Sequence, residues 1–341
     1  MARSGKICNK RRPHLIYRAH STIGWKKEMA AKIFIDGEAG TTGLQLRDRL
    51  TGRRDFEILS IAPDKRKDPL ERKRLLNAAD VAILCLPDEA AKESVSLIEN
   101  GTTKVIDAST AHRVADGWTY GFAEMDRDQS KKIAGAMRVS NPGCWPQGGI
   151  ATLRPLISAG LIPADFPVIA YGISGYSGGG RSMIEDYEQK DESANAFSLY
   201  GLSLKHRHLP ELQTYSKLTN APLFTPAVGN FRQGMIVTVP LQLSTLSKVP
   251  TGAQLHAAIA DHYAAISDSF VEVAALADTS GLNPQLYNDT NRMRLHVFAN
   301  DQTAQAVLVA VYDNLGKGAS GAAVQNLNLM LGVAADTSLA A

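Results

Sequence analysis

Cysteine is scarce: there are three in 341 residues, Cys8, Cys85 and Cys144, with no pair at CxxC spacing. That excludes a disulfide framework and a thiolate zinc centre, and it fits a reducing, cytoplasmic setting. No apolar run reaches the roughly 20 residues that span a bilayer, so no membrane-spanning helix is expected. A strong charge of one sign is missing as well. The net charge is +3, and residues 1–28 hold eight Lys and Arg against one acid, Glu28, a local +7 that leaves −4 for the rest. A mildly acidic body carries no electrostatic footprint for nucleic acid. The basic head has only Leu15, Ile16 and Tyr17 as an apolar centre, too short for a secretory signal. It is expected to be disordered, or a leader ahead of a start at Met29.

Hydrophobic residues at 44% and charged residues at 21% describe an ordinary globular chain, long enough here for two cores. Its organising stretch is Ser140-Asn141-Pro142-Gly143-Cys144-Trp145-Pro146-Gln147. Asn-Pro-Gly signals a tight turn, and Pro146 suits the first helical position, where a missing N–H costs little. Ile150, Leu153, Leu156 and Ile157 then mark an amphipathic helix over 147–158. Cys144 is thus expected just ahead of a helix N-terminus, where free N–H groups and the helix dipole draw a thiol pKa down toward neutrality. A buried cysteine that merely packs has no need of that turn; Cys144 reads as a nucleophile.

Ahead of it the chain alternates strands and helices, the pattern of a parallel sheet. A β-branched strand over 32–36 runs into Gly37-Glu38-Ala39-Gly40-Thr41-Thr42-Gly43, and a helical pattern follows. Strand, glycine turn and helix form the setting of a dinucleotide-binding fingerprint, with pyrophosphate at the helix start. The spacing is GxxGxxG rather than GxGxxG. The second strand, 56–61, brings Ser60 and then Lys65-Arg66-Lys67 instead of the acid that takes a ribose 2′-OH, so the cofactor expected is NADP(H). A third strand over 81–86 is continuous apolar, contains Cys85 as a packing residue and ends at Pro87. A fourth, 104–107, leads to Ser109 and Arg113, past a strand's C-terminal end, where such sheets bind ligands and an Arg can grip phosphate.

Beyond Cys144 strands follow one another with fewer helices: 168–173, 223–228, 235–243, 270–276, 292–298 and 305–311, with one clear helix over 253–265. A final helix, 319–331, reads as an amphipathic return to the first domain. Ser174-Gly175-Tyr176-Ser177-Gly178-Gly179-Gly180-Arg181 reads as a loop approaching a ligand, with Ser177 and Gly178 on the cofactor side. Lys205-His206-Arg207-His208-Leu209-Pro210-Glu211 lacks a third ligand for metal, and no metal is expected. A general acid–base His208 oriented by Glu211 suits it better, with His206 on the substrate. The expected fold is α/β: a Rossmann-type domain over 29–144, completed by a C-terminal helix over 314–335, plus an α+β catalytic and dimerisation domain over 145–313 with a largely antiparallel sheet.

Taken together, Ser-Asn-Pro-Gly-Cys at 140–144, His-Arg-His-Leu-Pro-Glu at 206–211, the glycine turn at 37–43 and Asp313-Asn314-Leu315-Gly316-Lys317-Gly318-Ala319-Ser320-Gly321 resemble the shorter N-acetyl-gamma-glutamyl-phosphate reductases of the semialdehyde dehydrogenase superfamily. The resemblance covers roughly 30–335. It implies Cys144 as nucleophile, His208 as acid–base, NADP in the first domain with Asn314 near the nicotinamide, a small acyl-phosphate substrate, and a homodimer or homotetramer. Gln147 stands where many relatives carry Thr, and Gly316 where a larger residue is common. Aspartate-semialdehyde dehydrogenases share the chemistry but usually place Asn, not Gly, directly before the cysteine. An aminoadipyl-phosphate reductase would need the same catalytic residues, whereas an NADP-sensing regulator would need neither Cys144 nor His208.

Overall fold

The computed structural model describes residues 30–190, 194–276 and 281–340. The basic head, 1–28, lies outside the described residues. The first sheet takes β1 (Ala31–Asp36), β2 (Phe56–Leu59), β3 (Val81–Leu84), β4 (Lys104–Asp107), β5 (Thr119–Tyr120) and β6 (Arg138–Ser140) in the order β2-β1-β3-β4-β6-β5. Every pairing in it is parallel. Strict alternation divides its core. Ile33, Ile35, Val81, Ile83 and Ile106 face one side, while Phe34, Ala82, Leu84 and Val105 face the other.

The first of these sides is covered by α1 (Thr41–Leu50), α4 (Gln129–Gly135) and α9 (Gly321–Leu331). The second is covered by α2 (Pro69–Ala78) and α3 (Asp88–Ser96). The expectation of an amphipathic last helix fails. Nine of the eleven residues of α9 are buried, because it is walled by the sheet on one side and by the turn at Asn141 on the other. Its polar side chains are spent on hydrogen bonds, Asn326 Nδ2 to Asn141 Oδ1 (3.0 Å) and Asn328 Nδ2 to the Ala335 carbonyl (3.0 Å). Cys85 lies one residue beyond β3 rather than inside it, and its N–H still donates to the Asp36 carbonyl (2.8 Å).

The second sheet contains β7 (Ile169–Gly175), β8 (Phe197–Leu199), β9 (Leu223–Gly229), β10 (Met235–Gln242), β11 (Val271–Val273), β12 (Met293–Asn300) and β13 (Gln305–Tyr312), in the order β11-β12-β13-β10-β7-β9-β8. Its centre is the antiparallel trio β10, β13 and β12, in which Leu308 pairs with both Val239 and Val297. Two pairs, β7 with β9 and β11 with β12, are parallel. The first is parallel because α6 (Gly180–Lys190) and α7 (Leu209–Ser216) carry the chain across between its strands. On one face of this sheet lie α5 (Cys144–Ser158) and α8 (Gly252–Ala264), which bury Ile150, Leu153, Leu156, Leu255 and Ile259 against Val237, Val239, Leu295 and Leu308. A capping box starts α8, the Thr251 hydroxyl accepting from the Gln254 N–H while Gln254 Oε1 accepts from the Thr251 N–H.

Candidate active site

Strand β6 delivers the Ser140–Gln147 stretch to the C-terminal edge of the parallel sheet, the ligand-binding edge of such folds. Asn141 N–H donates to the Asp107 carbonyl at 2.7 Å, tying the turn to β4. Helix α5 begins earlier than the proline suggested: Gly143 is the N-cap, Cys144 the first helical residue, and Pro146 sits within the first turn, where its missing N–H is still no loss. Cys144 therefore stands on the helix rather than ahead of it.

Beneath the cysteine is a buried polar knot. Glu211 accepts from Arg113 Nη1 (2.6 Å), the Tyr120 hydroxyl (2.8 Å) and the Gly143 N–H (3.0 Å). Arg113 also donates from Nε to the Asn141 carbonyl (3.1 Å) and from Nη2 to the Ala108 carbonyl (3.2 Å). The Tyr215 hydroxyl donates to the Arg113 carbonyl (2.7 Å), and its ring stacks on Tyr120. Gly143 is enclosed by this group. A Cβ there would lie 2.5 Å from Arg113 Nη1, 2.6 Å from Glu211 Oε1 and 2.8 Å from His208 Cδ2. The site is built around the absence of a side chain at 143, which leaves no room for the asparagine of the rival pattern.

Glu211 does not do what the sequence suggested. Its nearer oxygen is 4.0 Å from His208 Nε2, outside hydrogen-bond range, and its lone pairs serve Arg113, Tyr120 and the Gly143 amide. At 1% exposure it is a buried support of the turn, not a substrate contact. His208 is the N-cap of α7, with Pro210 in the first turn. His208 N–H donates to His206 Nδ1 at 3.2 Å, and the two rings meet edge to face. His208 Nδ1 is buried without a hydrogen-bond partner.

Electrostatics correct a second expectation. Burial pushes the Cys144 thiol up to about 11, although Arg113 and the Trp145 N–H pull it down. Desolvation thus outweighs the helix start, and Cys144 rests as a thiol. Burial, then Arg113, holds His208 well below the ordinary histidine range, so its imidazole is neutral. Burial and Arg207 lower His206 to about 4.

Four cavities lie between the glycine turn and the cysteine, each sharing lining residues with the next. One of about 540 Å³ is lined by Gly37, Gly40, Ile61, Arg66, Lys67 and Leu86. Gly37 has φ +90° and a Cβ would strike the Cys85 carbonyl oxygen at 2.3 Å; a Cβ on Gly43 would meet the Gly37 oxygen at 2.4 Å. Gly40 caps α1 without a side-chain bond, so the first amides of α1 remain open to an anion, as a dinucleotide pyrophosphate requires. Asp36 at the end of β1 is buried, and its Oδ2 accepts from Arg72 (3.1 Å) and Ser94 (2.8 Å). Arg66 reaches Glu38 (3.1 Å), and Ser60 is exposed beside the cavity wall rather than in it.

A second cavity holds Pro87, Ser109, Thr110 and Arg113, with the Ser109 hydroxyl donating to Asp107 (2.7 Å). A third joins Thr41, Thr42, Cys144, Ser177, Gly178 and Asn314. Asn314 Nδ2 donates to Ser177 Oγ (3.0 Å) and its Oδ1 accepts from the Gly234 N–H (2.7 Å). His206 and His208 face Cys144 across a fourth, with Tyr200, whose hydroxyl accepts from the Trp145 indole (2.9 Å). Tyr120 went unread because a two-residue strand has no period. Among the described residues, no group of three His, Cys, Asp or Glu is placed to hold a metal ion. No helix among them is long and apolar enough to cross a membrane.

Residues 32–133 match the semialdehyde dehydrogenase NAD-binding domain, and 144–314 the semialdehyde dehydrogenase dimerisation domain. An N-acetyl-gamma-glutamyl-phosphate reductase of Chelativorans sp. (strain BNC1) is 69% identical over 306 residues, 89% of this chain and 99% of that one. The chain belongs to the N-acetyl-gamma-glutamyl-phosphate reductase family. A second family member, from Mesorhizobium japonicum, is 67% identical over 89% of this chain and 100% of its own. Among solved structures, aspartate semialdehyde dehydrogenase II of Vibrio cholerae superposes with a TM-score of 0.66 at 12% identity, covering 89% of this chain and 99% of that one. The enzyme from Candida albicans, solved with NADP, gives 0.64 at 12% identity over 90% and 99%. At that identity the likeness concerns the fold alone: a parallel nucleotide-binding sheet joined to a mixed sheet, which the reductase family shares.

Proposed function

We propose that the protein reduces N-acetylglutamyl 5-phosphate to N-acetylglutamate 5-semialdehyde, through a thioester on Cys144 and with NADPH, in cytoplasmic arginine biosynthesis. The observation that carries the mechanism is the placement of Cys144 at the first turn of α5, facing neutral His208 and lying over Arg113. A thiol raised to about 11 needs a base, and a neutral imidazole is one. His208 takes the Cys144 proton as Sγ forms a bond to the acyl carbon. The acyl C–O bond breaks, and inorganic phosphate leaves toward Ser109 and Arg113. NADPH, when bound, supplies the hydride that reduces the thioester carbonyl. The thiohemiacetal oxyanion then expels the Cys144 thiolate as the C–S bond breaks, and His208 returns the proton to sulfur.

The open amides of α1, Thr41 and Thr42 suit the pyrophosphate, and Ser177, Gly178 and Asn314 the nicotinamide end. Arg66 with Lys67, and Ser60 beside them, favour a 2′-phosphate and hence NADP. We assign 29–144 with 314–335 to cofactor binding and 145–313 to catalysis and dimerisation. Exposed Ile169, Tyr171 and Leu223 on β7 and β9 suit a homodimer or homotetramer. Gly143, which admits no side chain, favours this reading over an aspartate-semialdehyde dehydrogenase. The test is intact-protein mass spectrometry after mixing with N-acetylglutamyl phosphate and no cofactor. A single acyl adduct on Cys144, lost in Cys144→Ser, is expected; an unmodified protein that still turns over with NADPH would overturn the covalent route.

A further inference from the structure

The wall of the catalytic cavity opposite Cys144 is an unusual piece of backbone. Residues Gly316–Ser320 form a π-helical turn ahead of α9, in which the Gly318 N–H donates to the Asp313 carbonyl (2.9 Å) and the Ser320 N–H to the Leu315 carbonyl (2.9 Å). A Cβ on Gly318 would stand 3.0 Å from Cys144 Cβ, so this backbone rests directly on the nucleophile. A π turn carries one residue more than the α-helix it interrupts and is kept chiefly at functional sites. Relaxing it to α register would rotate the flanking residues by about 100° relative to one another and withdraw Gly318 from Cys144.

The second residue of the turn, Lys317, points away from the cavity into the protein, 1% exposed. Its Nζ donates to Glu124 Oε2 (2.6 Å) and Gln325 Oε1 (2.7 Å), and lies over the Phe122 and Phe270 rings at 5.4 and 5.7 Å. Glu124, equally buried, accepts from the Phe270 N–H (3.2 Å) and from Gln325 Nε2 (2.9 Å) through its other oxygen. The Lys317 carbonyl in turn accepts from Gln147 Nε2 of α5 (2.8 Å), and the Ala319 carbonyl from Asn141 Nδ2 (3.0 Å). An ion pair buried this deeply is seldom retained for stability, since well-packed neutral groups do as well; fixing one arrangement among alternatives is its better-attested use.

We propose that Lys317 and Glu124 are positioning residues that hold the 316–320 turn in π register against Cys144, fixing the cavity wall on which the thioester is reduced. The effect on turnover rests on the reductase reading above; the effect on the turn does not. The test is the double variant Lys317→Met with Glu124→Gln. Methionine replaces the lysine stem in the core, and glutamine keeps an acceptor for the Phe270 N–H and a donor for Gln325 Oε1, so polar groups stay paired while the tether goes.

Amide exchange over 316–321 in the cofactor-free protein should accelerate by about tenfold or more, with α5 unchanged. The kcat should fall by about 10²-fold with KM for the acyl phosphate nearly constant, the cost of roughly 1 Å of misplacement. Unchanged exchange, or a kcat within about twofold of the parent, overturns the proposal. Should the double variant not fold, Glu124→Gln alone, which removes the carboxylate that holds Lys317 Nζ, takes its place: the same two changes are expected, and the absence of either overturns the proposal. A parent protein that does not reduce the acyl phosphate fails the reductase reading instead, and the exchange result still judges the turn.

Discussion

Gly143 carries no backbone strain: φ −72° and ψ 152° are open to any residue. Gly143→Ala should nevertheless cripple the enzyme, because the added methyl has three neighbours closer than 3.0 Å and none is a loose side-chain end. Arg113 is held by three hydrogen bonds, Glu211 accepts three, and His208 is 8% exposed at a helix start. If the methyl is accommodated by small shifts, the cost is that of overpacking, about 1–3 kcal/mol. If it separates Arg113 from Glu211, it leaves a buried charge unpaired, at about 3–5 kcal/mol. The first outcome is expected, since the backbone of α7 can move outward with Glu211 and His208 together. Activity suffers more than stability: moving His208 by roughly 1 Å should lower kcat by about 10²-fold. Each kcal/mol lowers the melting temperature of a chain this size by no more than about 2–4 °C, so the variant stays folded at assay temperature. Steady-state kinetics and a thermal melt decide it. Parent-like kcat with an unchanged melting temperature would show that the knot under Cys144 yields freely and that steric enclosure does not set the geometry of the site.

Much of this was legible in the sequence because it rests on local patterns. The β-branched run ending in Gly37 announced β1 and the glycine turn, and two positions that admit no Cβ, Gly37 and Gly43, are both in that motif. Strands β10, β12 and β13, eight residues each, were read within two residues of their ends because long alternation is unambiguous. The failures share one cause: they depend on partners distant in sequence. Glu211 lies three residues from His208, which made a local pairing attractive, yet Arg113, 98 residues away, and Tyr120, 91 away, claim it. The helix start alone argues for a lowered thiol pKa, while the desolvation that dominates it comes from neighbours that no local window contains. Helix α9 reads as amphipathic because Gln325 and Asn326 look solvated, and only the fold brings Glu124 and Asn141 to them.

Four further outcomes follow from the site. With the thiol at about 11, the rate of Cys144 alkylation by iodoacetamide in the free enzyme should climb about tenfold per pH unit from pH 7 to 9; a plateau near pH 7 would mean that a thiolate is present at rest. Arg66→Ala should raise KM for NADPH while leaving KM for NADH unchanged, and equal effects on both cofactors would make the Arg66 loop a mere surface feature. His208→Asn should lower kcat by about 10²–10⁴-fold with KM nearly constant, whereas His206→Asn should mainly raise KM; the reverse would exchange their roles. His208 also links stability to pH. Burial and Arg113 depress its pKa in the folded protein below the unfolded value of 6.5, so the unfolded chain binds the extra proton. The stability contributed by the neutral ring is therefore intact above about pH 6.5 and is lost progressively as the pH falls below it. His206, lowered to about 4, acts in the same direction between about pH 6.5 and 4. The parent should melt at a lower temperature at pH 5 than at pH 7.5, and the difference should shrink in His208→Asn. A difference that persists undiminished in the variant would place the acid sensitivity elsewhere, and would mean that the His208 ring takes up a proton without resistance from Arg113.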